Sequence, residues 1–158
     1  MIKLTRIDDR LVHGQVAFTW VPSLGVECLI VANDKVAKDE FQKMTLGLAK
    51  PAGTELLIKS LSDTIIFLNN DKNKHLNILL LTSAVKDAYT LANKVPEIKS
   101  INFGGLRARE GAKLVSKAIA LTDEDIVLIK ELRQKNIELE IRQVPADTKQ
   151  IIDTQFKF

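Results

Sequence analysis

Cysteine is nearly absent. Cys28 stands alone among 158 residues, so no disulfide can form within the chain, and its place in the apolar run Val26 to Ala32 reads as a buried, inert thiol. Long apolar runs are missing as well. The opening Met1-Ile-Lys-Leu-Thr-Arg6 lacks the apolar core of a secretion signal, and no window reaches the length that spans a bilayer. These two absences predict a cytoplasmic protein with no segment inserted in a membrane. Aromatic residues make up 5% and the net charge is +3; the lysines are dispersed instead of forming a basic run with interleaved aromatics, which argues against a nucleic acid partner. Neither G-x-G-x-x-G nor G-x-x-x-x-G-K-S/T occurs, so a nucleotide-binding domain would lack its phosphate loop.

What is present is ordinary globular material. Hydrophobic residues at 46% and charged residues at 27% suit a soluble core-forming chain, and the length suits one domain over residues 1–158. Ile2 and Leu4 alternate with Lys3 and Thr5 as a first strand ending near Ile7, after which Asp8 and Asp9 can cap a helix whose apolar face includes Val12, Val16 and Trp20. Val26–Ala32 reads as a buried strand, Val36–Ala49 as a helix, Leu56–Ile58 as a strand, and Ser60 or Ser62 can cap a helix through Leu68. Leu76–Thr82 is the most apolar strand and should be central, with a helix from Ala84 to Val95 after Ser83. Ser100–Phe103 is a strand ending at Gly104-Gly105, glycines that serve a tight turn or let the backbone approach an anion. A short strand at Lys117–Leu121, a helix Asp123–Gln134 opened by Thr122 and Asp125, and an alternating strand Ile137–Ile141 with one wet face complete the chain.

Strand followed by helix, repeated, argues for an α/β sandwich with a mainly parallel sheet. Ligands collect beyond the carboxyl ends of such strands, which would bring Arg10 and His13, Asn33 and Asp34, Thr82 and Ser83, and Gly104 and Gly105 to one edge. Of the two histidines, His75 follows a polar surface loop and has no motif around it. His13 is different: Arg10 stands three residues before it, Asp8 and Asp9 precede both, and Gly14 follows. A neutral imidazole at this spot can act as a nucleophile on phosphorus, and an arginine fork can bind phosphoryl oxygens. Either carboxylate, Asp9 among them, can orient the imidazole or simply cap the helix.

The segment Ile7-Asp-Asp-Arg-Leu-Val-His-Gly-Gln-Val16 resembles the active-site signature of the IIB components of the mannose/fructose/sorbose family of the bacterial phosphoenolpyruvate-dependent sugar phosphotransferase system. Further matches follow in order at Val31-Ala-Asn-Asp-Lys-Val-Ala37, Ala49-Lys-Pro-Ala-Gly53, Ile101-Asn-Phe-Gly-Gly105, Asp123-Glu-Asp125 and Leu139-Glu-Ile-Arg-Gln-Val-Pro-Ala-Asp147. The resemblance implies a three-layer α/β/α sandwich with about six to seven strands. It implies that a IIA protein phosphorylates His13, that Arg10 stabilises the moving phosphoryl group, and that membrane IIC and IID partners present the sugar that leaves as its phosphate. Mannose, fructose, sorbose and N-acetylgalactosamine are the sugar types of this family. The protein would be cytoplasmic and held peripherally at the membrane through IIC and IID. The mechanism requires no cofactor and no metal. One rival reading survives on residue types: a histidine-dependent hydrolase built from His13, Asp9 and Ser83, since triads assemble from distant loops.

Overall fold

In the computed structural model, which describes residues 1–158, nine strands and five α-helices follow in chain order. They are β1 (Ile2–Asp8), α1 (Val21–Leu24), β2 (Cys28–Ala32), α2 (Glu40–Ala49), β3 (Glu55–Lys59), α3 (Leu61–Asn69) and β4 (Ile78–Thr82). Then come α4 (Val85–Lys94), β5 (Ser100–Gly105), β6 (Lys113–Leu114), β7 (Ala120–Leu121), α5 (Asp123–Gln134), β8 (Glu138–Ile141) and β9 (Gln150–Ile151). Seven strands make one sheet in the order β3-β2-β4-β1-β5-β8-β9. All pairs are parallel except β8 with β9. A separate antiparallel pair, β6 with β7, lies outside that sheet. No helix is long and apolar enough to cross a membrane.

The alternation of side chains along each strand divides the interior into two cores. Cys28, Ile30, Ile78, Leu80, Ile101, Phe103, Leu139 and Ile141 face one way, packing with Leu68 of α3, Ala88 and Leu91 of α4, and Ile129 and Leu132 of α5. Leu4, Leu29, Val31, Leu79 and Leu81 face the other way, toward Val16, Trp20, Val21 and Leu46. Strands covered on both faces read as continuous apolar runs, which is why β2 and β4 are buried at every residue and β4 lies inside the sheet as expected.

Several local expectations need correction. No helix starts at Asp8 or Asp9: β1 runs on through Asp8, and the chain then turns through Leu11, whose φ is 59°. Helical structure begins only beyond His13 and passes through a π-helical stretch, Val16–Trp20, into α1. The wider turn belongs to a stretch that buries Val16, Ala17 and Trp20 together. The expected helix Val36–Ala49 divides in two because Asp39 is extended, with φ −115° and ψ 99°, and caps α2 by accepting from the Gln42 N–H at 3.1 Å. Thr122 and Asp125 do form a reciprocal capping box at α5.

β8 also departs from its sequence reading. Alternation alone places Glu140 on a wet face, whereas in the fold it is 3% exposed. The register explains it: with Leu139 and Ile141 in the larger core, Glu140 faces the side that holds Arg6 and Asp8 of β1 and Asn102 of β5. That face carries only α1, α2 and their flanking turns, so over β1, β5 and β8 polar side chains fill space that apolar ones fill elsewhere.

Candidate active site

β1 delivers two buried charges to its carboxyl end. Arg6 and Asp8 sit two residues apart on one face, both with fully buried side chains, and form an ion pair at 3.0 Å. The guanidinium of Arg6 donates from Nε and Nη2 to Asp8 Oδ2, and from Nη1 to Asn102 Oδ1 at 2.8 Å and the Arg142 carbonyl at 3.1 Å. Four of its five N–H donors are thus engaged, which offsets much of the cost of burying the cation. Asn102 passes the network on, donating to Glu140 Oε1 at 3.1 Å, which also accepts from Arg142 Nη2. Trp20 lies against both cations, 5.4 Å from Arg6 Cζ and 4.9 Å from Arg142 Cζ, and its indole N–H donates to the Gln143 carbonyl.

Gly104 and Gly105 do not make a turn, and both border the cleft that Arg10 lines. They continue β5, and a Cβ at Gly104 would lie 2.0 Å from Arg6 Cζ, while one at Gly105 would come within 3.3 Å of Asp8 Oδ1. The glycines leave room for this charged pair.

The carboxylate that holds His13 is Asp8, not Asp9. Nε2 of His13 lies 2.7 Å from Asp8 Oδ2, and the other oxygen, Oδ1, accepts the Arg10 backbone N–H at 3.1 Å and lies 3.6 Å from Arg10 Nε. One buried carboxylate therefore ties together the nucleophile candidate and the arginine candidate. Burial alone would push the Asp8 carboxyl up; the His13 hydrogen bond and the charge of Arg6 outweigh it and hold the group below the usual carboxylate range. Burial in turn pulls Arg6 down from its ordinary value against the attraction of Asp8.

Asp9 has a different task from either expected one. Its Oδ2 accepts from both the backbone N–H and the side-chain Nε of Arg107, and its own N–H donates to the Gly105 carbonyl, so it fastens the His13 loop to the segment after β5. Arg10 is 43% exposed and reaches Gln15 Oε1 at 3.4 Å. It lines a cleft of about 420 Å³ with Gln15, Arg107, Lys117 and Gln143. His13 itself keeps 13% of its side chain exposed, at the rim of the buried network.

The remaining candidates separate. Asn33 donates to Ser83 Oγ at 2.9 Å and accepts from the Val36 N–H, and Asp34 accepts from the Leu61 N–H. With Lys35 and Asp87 they line their own recess on the same sheet edge. No hydrogen bond joins Ser83 to His13, so the hydrolase triad is not assembled. Arg109 is engaged by Asp125 at 2.5 Å and by the Ala120 carbonyl, and His75 is an exposed turn residue. No group of three or more histidine, cysteine, aspartate or glutamate side chains converges closely enough to hold a metal ion.

A family model described as PTS system sorbose subfamily IIB component matches residues 2–157. A Streptococcus pyogenes protein named a probable phosphotransferase enzyme IIB component is 36% identical over 94% of this chain and 95% of its own length. The mannose-specific EIIAB component of Escherichia coli is also 36% identical over 94% of this chain, which spans only 46% of that longer relative. Among solved structures, the IIB domain of the sorbose permease from Klebsiella pneumoniae superposes with a TM-score of 0.91 at 32% identity, over 96% of this chain and 93% of that one.

Proposed function

Because this chain belongs to the sorbose subfamily of phosphotransferase-system IIB components, a family of sugar phosphotransferases, we propose that His13 is its phosphoryl carrier and that Nδ1 is the atom that carries. The observation behind this reading is the 2.7 Å contact between His13 Nε2 and Asp8 Oδ2. An ionised carboxylate can only accept, so it takes the proton on Nε2 and leaves the lone pair on Nδ1.

In the first step that lone pair forms a P–N bond while the bond from phosphorus to the donor breaks, its electron pair returning to the donor. Positive charge that builds on the imidazole is met by Asp8, much as a buried carboxylate supports a catalytic histidine elsewhere. Arg10, on the exposed side of the same carboxylate, meets charge on the phosphoryl oxygens. In the second step an oxygen of the sugar attacks phosphorus, the hydroxyl proton is released, and the electron pair of the P–N bond goes back to Nδ1. Alignment and charge stabilisation suffice for such a loose transfer.

The donor in this reading is a IIA protein or domain, as the fused naming of the Escherichia coli relative suggests. The acceptor is a sugar presented by membrane IIC and IID partners, with this chain held peripherally on the cytoplasmic side and residues 1–158 acting as one unit. Incubation with a phosphorylated IIA protein and, separately, with small ester substrates tests the reading. Phosphoryl uptake without esterase activity is the expected result; ester turnover without uptake would contradict it.

A further inference from the structure

Arg6 makes no hydrogen bond to the imidazole, only to the Asp8 oxygen that holds it, yet it is among the largest fully buried side chains in the molecule. Its space is provided from another strand. A Cβ on Gly104 would meet Arg6 Cζ, Nη2 and Nε at 2.0, 2.2 and 2.4 Å, so the guanidinium lies across a stretch of β5 that tolerates no side chain. Around it, Asn102 and the Arg142 carbonyl accept from Nη1 while Nε and Nη2 point at Asp8. The charged groups near this pair are Arg10 and His13 on the loop after β1, and Glu140 and Arg142 at the end of β8.

The consequence for His13 follows from donor and acceptor counts. With Arg6 in place, Asp8 is a carboxylate and can only accept, which puts the ring proton on Nε2. Without that cation, only the His13 hydrogen bond and the more exposed Arg10 oppose the burial of Asp8, and a carboxyl tipped by this loss into its acid form can donate to Nε2 instead. The ring then carries its proton on Nδ1, and the nitrogen facing the phosphoryl donor has no lone pair to offer.

We infer that Arg6 is a positioning residue that sets the tautomer of His13 by keeping Asp8 an acceptor, and that Gly104 is required because it leaves Arg6 the space to do so. The inference rests on the proposed role of His13 as nucleophile, and it assigns to the buried arginine, through the carboxylate, the choice of reactive nitrogen.

The test reads the tautomer directly. Long-range ¹H–¹⁵N correlation spectra of the full chain report which imidazole nitrogen of His13 is protonated, with no partner or phosphoryl group needed. Wild type should be protonated at Nε2. Arg6→Met and Gly104→Ala should shift His13 to a mixed or reversed tautomer, and uptake from a phosphorylated IIA protein should slow on the order of a hundredfold to ten-thousandfold, as for wrong-tautomer histidines and lost orienting partners. Arg6→Lys, still a cation, should restore most of the Nε2 tautomer. Gly47→Ala, where a Cβ meets nothing within 4 Å, should change neither readout.

A folded Arg6→Met protein with His13 still protonated at Nε2 and wild-type uptake would overturn the inference. Loss of the folded amide spectrum in all the Arg6 and Gly104 variants would overturn it too, by making the network a support of the fold alone. Failure of the underlying functional reading looks different: the wild-type tautomer would be as expected, with the phosphoryl group on some other residue.

Discussion

Asp8 Oδ2 and His13 Nε2 lie 2.7 Å apart, at the point where the central strand of the sheet gives way to the loop that follows it. The carboxylate is rigid because β1 holds its backbone and Arg6 its oxygen; the imidazole is partly exposed because the chain turns away at Leu11. A fixed acceptor beneath a partly exposed ring is the arrangement on which the proposed choice of Nδ1 rests.

Asp8→Asn should therefore do two separate kinds of damage. It leaves the buried Arg6 cation without its partner, a loss of about 3–5 kcal/mol of stability by analogy with other broken buried pairs. It also lets an amide N–H donate to Nε2, which selects the wrong tautomer. Asp9→Asn keeps an acceptor for Arg107 and should cost far less on both counts. Denaturant unfolding and phosphoryl uptake, measured on the two variants side by side, check the contrast.

Arg10→Lys keeps the positive charge and loses the planar fork, so uptake should continue but slow on the order of tenfold to a thousandfold. Stability should hardly change, because the Arg10 side chain is 43% exposed. Wild-type uptake with the IIA protein in excess would make this arginine merely structural.

Acid should destabilise the protein through Asp8 and Glu97. Both carboxyls are held below their ordinary values: burial works against this in each, but His13 and Arg6 at Asp8, and the Ile2 N–H and Lys74 at Glu97, outweigh it. A group whose pKa is lower in the folded state gives its full stabilisation above the unfolded value, about 4. That stabilisation is lost as pH falls from there through the folded values. Urea unfolding between pH 6 and about pH 3 should show a steady loss, and the slope should be shallower in Asp8→Asn.

Cys28 should be silent to thiol reagents. It is fully buried in β2, and burial, with the nearby Glu55 and Glu27, pushes its thiol up to about 11. An aromatic disulfide reagent at pH 8 should react only after denaturation. Rapid reaction with the folded protein would mean that β2 opens readily.

The sequence made the apolar scaffold and the first motif legible, and it did so for different reasons. Periodicity marked α5 to the residue and β4 as central, because those elements bury what their pattern says. It could not mark Arg6, Asn102 and Glu140 as interior. A charge in a strand reads as a wet face until the register sets it opposite another charge, and that pairing spans 96 residues for Arg6 with Asn102 and 38 for Asn102 with Glu140. Gly104 was readable only as a turn or as a place for the backbone to approach an anion, since the guanidinium it accommodates comes from a strand nearly a hundred positions earlier. The choice between Asp8 and Asp9 hung on the single turn through Leu11, whose positive φ no local signal announced.

The most direct test of the account is to phosphorylate the chain with a IIA donor and map the product by mass spectrometry and ¹H–¹⁵N spectroscopy. The account predicts one acid-labile phosphoryl group, on Nδ1 of His13, and none in His13→Ala, which should remain folded. A phosphoryl group on Nε2 of His13, on His75, or on a serine or aspartate would contradict it.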